Sequence, residues 1–305
     1  MIRAVIDIGS NSIKMRVASI TGRKVRVIRD ETEVVRLSRG MSSTGRLSDE
    51  SMRRSCDSVV RMTRKAKRLG AEIFIAGTMA LRTAENAGDL VKMVREASGC
   101  EVHVFSGEEE AKYSWLGAVD GLRLEGNTVM FDSGGGSTEF VSGSGSQVKR
   151  LVSIPIGAVN LSEKFFSNYE HPIKKSACDE AVSYVRDLFT RNNIADFRED
   201  LRNVIGVGGG VSAMAAVKTA CDSFMPSKIH GLTLTLRDII TQIRIYASLT
   251  LKEREQIIGL PASRADVILG SACIIFTALE LLGVSSCTVS INGLRHGLLI
   301  RDNIM

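Results

Sequence analysis

The sequence has few of the features that mark a secreted or membrane-anchored protein. Its first residues, MIRAVIDIGSNS, lack the basic segment, apolar core and cleavage site of a signal peptide. The uncharged apolar stretch at residues 267–279 is too short to span a bilayer. The cysteines are scattered without a close pair, which argues against a disulfide framework or a zinc site; they are Cys56, Cys100, Cys178, Cys221, Cys273 and Cys287. We therefore expect a cytoplasmic protein with no membrane partner.

Aromatic residues and histidines are also scarce. Aromatics make up 5% of the chain and include a single tryptophan, Trp115, so no base-stacking cluster is evident. The histidines are isolated, which leaves no His/Cys constellation for metal or nucleophilic chemistry; they are His103, His171, His230 and His296. Nucleic acid is therefore not an expected partner.

What the chain does have is enough apolar sequence for two domains and an excess of positive charge. Of its 305 residues, 44% are hydrophobic and 24% are charged, and the formal net charge is +6. This composition excludes a disordered chain, and the length suits two domains of ordinary size. A basic surface attracts polyanions in general, so charge alone does not choose among nucleic acid, anionic lipid and polyphosphate.

Strand and helix patterns alternate along the chain, which predicts an α/β fold. The expected strands are residues 4–8, 13–20, 24–35, 72–76, 128–132 and 203–206. The expected helices are residues 49–69, with Ser48 as N-cap, and residues 107–119, 176–191, 237–249 and 262–282.

One segment of the sequence is repeated. The stretch beginning at Asp7, DIGSNSIK, aligns with DSGGGSTE beginning at Asp132, and both read Asp-x-Gly-x-x-Ser-x-charged after an apolar strand. The agreement of strand, turn and polar register favours a duplicated domain over a chance likeness of two Gly/Ser-rich turns. A cleft between the two halves would then carry two facing phosphate loops.

The repeated turns could bind phosphate. Glycine allows the backbone to approach a ligand closely, and successive N–H groups and serine hydroxyls supply donors. A tight hairpin without a ligand is the alternative. The candidate donors are Ser10, Asn11 and Ser12 in the first copy and Gly134, Gly135, Gly136, Ser137 and Thr138 in the second.

Acidic residues flank both turns. Asp7 and Asp132 come at strand ends, and Glu139 lies on the return strand seven residues after Asp132. Mg²⁺ binds through one or two carboxylates, waters and substrate phosphates, so these residues are candidate ligands for Mg²⁺ or Mn²⁺. The alternative for the aspartates is capping of an Asx turn.

A third glycine-rich segment, GVGGG at residues 206–210, follows a predicted strand and opens a helix. Its Gly208 and Gly209 could hold a phosphate at the helix N-terminus. It is neither a Walker A loop, because no Lys-Ser or Lys-Thr follows, nor a good dinucleotide fingerprint. It could equally be a tight strand–helix joint.

Taken together, the motifs resemble the exopolyphosphatase/guanosine pentaphosphate phosphohydrolase family over residues 1 to about 302. The segments that carry the resemblance, in family order, are IDIGSNSIK, GTMALRTAEN, FSGEEEAKYSWLG, FDSGGGSTEF, IPIGAVNL, IGVGGGVSAM, RADVILG and INGLRHGLL. The resemblance implies two ribonuclease-H-like domains of the actin-like ATPase superfamily with an interdomain cleft. It also implies Mg²⁺-dependent removal of a terminal phosphate from polyphosphate or from guanosine pentaphosphate.

The resemblance also implies roles for individual residues. The general base falls on Glu110, the last of three consecutive acids that could otherwise be a solvated helix N-terminus. The phosphate-binding arginine falls on Arg82, whose alternative role is a surface ion pair. The metal carboxylates fall on Asp132 and Glu139. Lys14 stands where relatives carry Arg or His and is a further candidate phosphate ligand.

The expected domains are residues 1–124, completed by a C-terminal helix at about 294–305, and residues 125–293. The resemblance is to the short, two-domain form, which weakens the case for high processivity on long chains, and it allows a homodimer. The basic stretch at residues 61–68 could guide a polyanion or be the solvated face of a helix.

The predicted function is that of an exopolyphosphatase. Hydrolysis of guanosine pentaphosphate is the alternative within the same class. A kinase and a non-catalytic polyphosphate- or nucleotide-binding regulator on the same scaffold are alternatives from other classes. The SGEEEA and DSGGGSTE motifs disfavour the kinase, and the joint presence of Glu110, Arg82, Asp132 and Glu139 argues against the regulator.

Overall fold

A computed structural model describes residues 1–22, 24–167, 170–220 and 225–301. The strands are β1 (Ile2–Ile8), β2 (Ser12–Thr21), β3 (Lys24–Val34), β4 (Glu72–Gly77), β5 (Val102–Val104), β6 (Asn127–Ser133), β7 (Thr138–Ser144), β8 (Gln147–Ile154), β9 (Leu201–Val207), β10 (Thr233–Thr235) and β11 (Ser286–Val289). The helices are α1 (Met41–Thr44), α2 (Asp49–Arg68), α3 (Met79–Thr83), α4 (Ala87–Ser98), α5 (Gly107–Val119), α6 (Ala158–Phe165), α7 (Lys175–Arg191), α8 (Gly209–Lys218), α9 (Pro226–Ile229), α10 (Leu236–Ser248), α11 (Leu251–Arg254), α12 (Ile268–Leu282) and α13 (Leu294–Ile300).

The chain divides into two compact units. The first is Met1–Gly117 together with the segment that begins at Asn292, and the second is Ala118–Ile291. The sequence placed these boundaries at residues 124/125 and 293/294. No helix in the described parts of the chain is long and apolar enough to cross a membrane.

The first unit is built on a five-stranded sheet in the order β3-β2-β1-β4-β5. Strands β1, β2 and β3 form an antiparallel meander, and β4 and β5 run parallel to β1. Alternate residues of β1 enter cores on opposite faces: Ile6 joins a cluster with α2 and α4, whereas Val5 joins a cluster with α13. This central strand ends at the first glycine-containing turn.

Helix α2 follows from its local sequence. The Ser48 hydroxyl accepts a hydrogen bond from Ser51 N, and Asp49 and Glu50 occupy the first turn, where the helix dipole favours negative charge. A buried stripe at helical spacing, which includes Met52 and Val59, packs on the sheet. The predicted N-cap is confirmed.

The C-terminal segment is tied to the first sheet by an arginine network. The Arg16 guanidinium lies 2.7 Å from the Asp30 carboxylate and donates to Asn292 Oδ1 at 2.9 Å. Arg295 also contacts Asp30 and donates to the Met15 carbonyl. Burial would raise the pKa of Asp30, but the two guanidinium groups outweigh it and lower that pKa.

The second unit contains a six-stranded sheet in the order β10-β11-β9-β6-β7-β8. Strands β6, β7 and β8 form an antiparallel meander, β9 runs parallel to β6, and β11 runs parallel to β9. Helix α12 is buried along most of its length and packs in the main apolar cluster with residues of α7 and α8. Residues 262–264 form a separate 3-10 turn, so the helix predicted over residues 262–282 is shorter than expected.

Both sheets therefore repeat one plan: an antiparallel meander whose first strand is flanked by parallel strands on its other side. The first strand of each meander, β1 or β6, leads into one copy of the repeated turn. The predicted α/β class with a duplicated domain is confirmed. The described cysteines are free, as expected, whereas Cys221 and the end of the predicted C-terminal helix lie outside the described residues.

Candidate functional site

The first repeated turn joins β1 to β2. Gly9 N donates to Ser12 O at 3.2 Å, which closes a turn of Gly9, Ser10, Asn11 and Ser12. Ser10, Asn11 and Ser12 are all buried. Both polar atoms of the Asn11 amide are buried without a hydrogen-bond partner among the described residues. A buried amide of this kind costs free energy unless a ligand or water pairs with it, so the turn is suited to a polar ligand.

Asp7 and Lys14 occupy directly opposed positions on β1 and β2. Asp7 is 8% exposed, and its Oδ1 atom has no hydrogen-bond partner among the described residues. Burial raises the pKa of Asp7 above its ordinary value of 3.8, although the charges of Lys14 and Arg295 act in the opposite direction. The first hairpin thus sets a desolvated carboxyl group opposite an ammonium group.

The predicted base and the predicted phosphate-binding arginine contact each other. Arg82, on α3, and Glu110, on α5, form an ion pair with Nη1 and Oε2 3.1 Å apart. Their side chains are 23% and 13% exposed. The same Arg82 nitrogen donates to the Phe105 carbonyl at 2.8 Å, which fixes the guanidinium beside the start of α5.

The three consecutive acids of α5 are distinguished by their hydrogen bonds. Glu109 reaches back to Ser106 N at 2.9 Å while Ser106 Oγ accepts from Glu109 N at 3.1 Å, which is a capping box. Glu108 is exposed. Only Glu110 turns toward Arg82, because neighbouring side chains on a helix point about 100° apart. Glu109 therefore stabilises the helix start, whereas Glu110 pairs with Arg82.

The second repeated turn packs against the start of α6. Gly134 N donates to Ser137 O at 2.9 Å, and the Gly134 and Gly135 carbonyls accept from Ala158 N at 3.0 Å and Val159 N at 2.7 Å. An added Cβ on Gly157 would lie 2.5 Å from the backbone of this turn, so the close approach requires glycine there. This close packing lets the first N–H groups of α6 bond to the turn and fix its orientation.

Asn160 completes the bracing of the second turn. Its Nδ2 donates to Gly136 O at 3.1 Å, and its Oδ1 accepts from Gly157 N at 2.7 Å. With this bond, the carbonyls of Gly134, Gly135 and Gly136 are all paired. In a trans peptide the next N–H points the opposite way, so the N–H groups of residues 135–137 face away from α6. Successive N–H groups with one orientation form an anion-binding concavity.

Thr138 plays a structural part in this hairpin. Its hydroxyl is fully buried and donates to Ile156 O at 2.7 Å, so that proton is already engaged. Ser137, by contrast, is 4% exposed and lies at the turn itself.

Asp132 and Glu139 lie directly opposite each other across β6 and β7. Opposed residues on one sheet face have Cβ atoms about 5 Å apart. Glu139 is 2% exposed, and its Oε1 accepts from Ser153 Oγ at 2.8 Å. Two oxygen-donor carboxylates at this spacing fit a hard divalent cation. The described residues contain no group of three potential ligands, so such a cation would need further oxygens from water or substrate.

The third glycine-rich segment joins β9 to α8. Gly208 has φ 113°, and an added Cβ would lie 2.3 Å from Ser133 O, so glycine is required at this position. Gly209 is the first residue of α8. A Cβ added to Gly209 would lie 2.1 Å from Arg264 Nη2, so the Arg264 guanidinium packs directly against this glycine. Burial lowers the pKa of Arg264, with Asp266 acting in the opposite direction. The sequence did not single out Arg264, although it belongs to the family-like segment RADVILG.

The basic stretch at residues 61–68 is largely engaged in structural contacts. Arg61 pairs with Glu33 at 2.6 Å, and Lys65 pairs with Glu31 at 2.8 Å, which ties α2 to β3. Lys67 donates to Ser98 O at 2.9 Å at the end of α4. These bonds favour the alternative in which the stretch is one face of an ordinary helix.

With this geometry in place, the class of the protein is defined by comparison with known proteins. The family model described as the Ppx/GppA phosphatase family matches residues 16–303. The chain belongs to that family, as the sequence motifs indicated.

Two solved structures are similar in both fold and sequence. A Ppx/GppA family member of Aquifex aeolicus is 29% identical, with a TM-score of 0.81 over 99% of this chain and 97% of that one. An exopolyphosphatase-like protein is 25% identical, with a TM-score of 0.90 over 99% of both chains.

One curated relative is longer than this chain. The bifunctional 3-dehydroquinate synthase/phosphatase of Fusobacterium nucleatum is 26% identical over 95% of this chain. The match covers 45% of that relative, so the chain spans less than half its length.

Proposed function

We propose that this protein is an exopolyphosphatase that releases terminal orthophosphate from inorganic polyphosphate. The observation that carries the proposal is the contact between Arg82 and Glu110, the cation and the carboxylate that phosphoryl hydrolysis needs, 3.1 Å apart. Membership of a phosphatase family and an exopolyphosphatase-like structural neighbour support the choice of substrate. The substrate class and the residue roles below belong to this proposal.

In the proposed reaction Glu110 takes a proton from the attacking water. The water oxygen bonds to the terminal phosphorus as the bond from that phosphorus to the bridging oxygen breaks. The products are orthophosphate and a chain shorter by one phosphate, which keeps the bridging oxygen. General-base assistance of this kind contributes about 10²–10⁴ in rate.

Arg82 acts on the same phosphate by stabilising the negative charge of the transferred group. The Glu110 carboxylate and the Phe105 carbonyl also hold the Arg82 guanidinium, so that it is already oriented before substrate binds. In the same unit as Arg82, the N–H groups of the turn after Asp7 supply further donors, and the second unit carries its own set in the turn after Asp132.

In the second unit the carboxylates of Asp132 and Glu139 would hold Mg²⁺ or Mn²⁺, and in the first unit Asp7 is a separate candidate ligand. A bound divalent cation neutralises charge on phosphate oxygens and so makes departure of the shortened chain easier. The described residues include no group of three or more His, Cys, Asp or Glu side chains that could enclose a metal, which suits Mg²⁺, an ion that keeps waters and binds phosphates.

The test is phosphate release from tripolyphosphate, a longer polyphosphate, guanosine pentaphosphate, ATP and pyrophosphate, each with Mg²⁺ and with excess chelator. The proposal expects polyphosphates to be hydrolysed fastest and chelator to abolish release. If guanosine pentaphosphate is hydrolysed faster than polyphosphate at matched concentrations, guanosine pentaphosphate is the substrate instead. Full activity in chelator would overturn the role of the carboxylate pair, and release from none of the compounds would overturn the proposal.

A further inference from the structure

The first repeated turn is held by a neighbouring segment, Val35–Ser38, which we call the clamp turn. Asn11 O accepts from Val35 N at 3.0 Å and from Arg36 N at 2.8 Å. Ser10 O accepts from Ser38 N at 3.0 Å and from Ser38 Oγ at 3.3 Å. The Ser10 and Asn11 carbonyls therefore point at the clamp turn.

This arrangement fixes where the N–H groups point. No cis peptide bond occurs among the described residues, and in a trans peptide the N–H is antiparallel to the carbonyl before it. The N–H groups of Asn11 and Ser12 therefore point away from the clamp turn. The unpaired Asn11 amide, 7% exposed, belongs to the same turn. Successive N–H groups of one orientation beside an unsatisfied amide are suited to an anion.

The clamp turn depends on an unusual backbone conformation at Arg36. Arg36 has φ 49°, in the left-handed region of backbone conformations, which residues other than Gly, Asn and Asp seldom adopt. Its N–H makes the shorter bond to Asn11 O, and its carbonyl accepts from Arg39 N at 3.1 Å. A residue that cannot adopt this φ at position 36 would displace the N–H groups of residues 35 and 36, and the Asn11 carbonyl would lose the hydrogen bonds that orient it.

The second unit reaches the same end by different means. There the carbonyls of Gly134 and Gly135 are turned by the first N–H groups of α6, and that of Gly136 is turned by the Asn160 amide. Two unrelated bracing elements thus act on two pairs of equivalent carbonyls, Ser10 with Gly135 and Asn11 with Gly136. If phosphate binding requires the N–H groups of each turn to have a fixed orientation, the equivalent carbonyls should be bonded in both units. Incidental packing does not predict this agreement.

We propose that Arg36 is a positioning residue that acts through its main chain: its left-handed conformation aims the N–H groups of Asn11 and Ser12 at a bound phosphate. The identity of the substrate rests on the proposed function. The positioning itself requires only that this turn bind a phosphate group.

The experiment compares Arg36→Val with Arg36→Gly. Both lose the guanidinium, so a difference between them isolates the backbone; valine is β-branched and strained at φ 49°, whereas glycine adopts it freely. We expect KM for tripolyphosphate to be about tenfold higher in Arg36→Val than in Arg36→Gly, the effect of one weakened charge-assisted hydrogen bond. Calorimetric binding of inorganic phosphate to the whole chain should weaken by the same ratio.

Asp200→Val is the matched control. Asp200 has φ 51° and is exposed in a turn before β9, away from the glycine-rich turns of its unit, so valine there imposes the same backbone strain. It should lower the melting temperature as Arg36→Val does while leaving KM unaltered. If Arg36→Val does not fold, Ser38→Ala, which removes only the 3.3 Å hydroxyl bond to Ser10 O, should still raise KM by about twofold to threefold.

Equal KM and equal phosphate affinity in the two Arg36 variants would overturn the inference, and so would a matching rise in KM for Asp200→Val. If the wild-type chain hydrolyses none of the phosphate compounds, the proposed function fails, but calorimetry with inorganic phosphate still decides whether Arg36 positions the turn.

Discussion

Replacing Glu110 with glutamine should abolish most turnover while leaving the fold intact. Glutamine keeps the shape of the side chain and can still accept a hydrogen bond from Arg82, but it cannot take a proton from water. The loss of base assistance should lower kcat by about 10²–10⁴, which corresponds to about 3–5 kcal/mol in the activation barrier. KM should change much less, because the group acts mainly in the transition state.

The structure also bounds the effect on stability. Unit charges 3.1 Å apart attract by about 5 kcal/mol at an effective dielectric constant of about 20, but desolvation of the two ions cancels much of this. Because the hydrogen bond from Arg82 survives in the glutamine variant, we expect a net loss of about 1–2 kcal/mol. For about 130 residues in the first unit, this is a drop in melting temperature of a few degrees.

Glu109→Gln is the matched control, because Glu109 lies next to Glu110 on the same helix turn and its carboxylate instead caps Ser106 N. It should keep kcat within about twofold, since a weakened cap costs about 0.3–1 kcal/mol of stability and no chemistry. The assay is phosphate release from polyphosphate under saturating Mg²⁺, with melting curves for each variant. Collapse of kcat in Glu109→Gln with survival in Glu110→Gln would show that the assigned register is wrong by one residue, and full activity in both would refute a water-activating role for this helix.

Three further outcomes are expected. Asp7→Asn should raise the melting temperature at neutral pH, because burial raises the pKa of Asp7 above 3.8 and the native state therefore favours the uncharged form. Below pH 3.8 the aspartate is protonated in both the folded and the unfolded chain, so the difference in melting temperature between variant and wild type should vanish there in a pH series of melting curves. Glu139→Gln should raise the Mg²⁺ concentration for half-maximal activity by about tenfold, measured by metal titration, and an unchanged titration would contradict metal binding there. Gly208→Ala should destabilise by about 2 kcal/mol or more in denaturant unfolding, because its Cβ would meet a carbonyl at 2.3 Å. Gly145→Ala, at φ 56° with open space around it, should cost only about 1 kcal/mol.

Local signals predicted the first meander and α2 well, because hairpin strands and a capped amphipathic helix are specified by neighbouring residues; in the second meander only β6 was given bounds, and β8 was not predicted. Helix α4 was not predicted. The Asn86 amide, which stands at its N-cap position, makes no capping bond; it instead pairs with the backbone of Leu47 at 2.8 Å and 2.9 Å. A tertiary contact 39 residues away has no local sequence signature.

The site shows the same division between local and distant information. The spacing of Ser106 and Glu109 is a capping-box pattern that the sequence contains, and it would have removed one of the three acids from consideration. In contrast, Asn160 acting on the Gly136 carbonyl and Arg264 covering Gly209 depend on contacts across 24 and 55 residues. Periodicity and short motifs do not report such contacts.

The two hairpins of the duplicated fold differ in charge at one cross-strand position. In the first unit Asp7 is opposed by Lys14, and in the second Asp132 is opposed by Glu139. Opposite charges in directly opposed positions stabilise a sheet, whereas like charges destabilise it by a comparable amount, about 0.2–1 kcal/mol. A cation bound at the second hairpin would offset the repulsion between its two carboxylates, whereas in the first hairpin the Lys14 ammonium is opposed to the Asp7 carboxylate. On the proposed function, the divalent cation is expected at the second hairpin, and a lysine at the same place in the first leaves that turn to meet the phosphate directly.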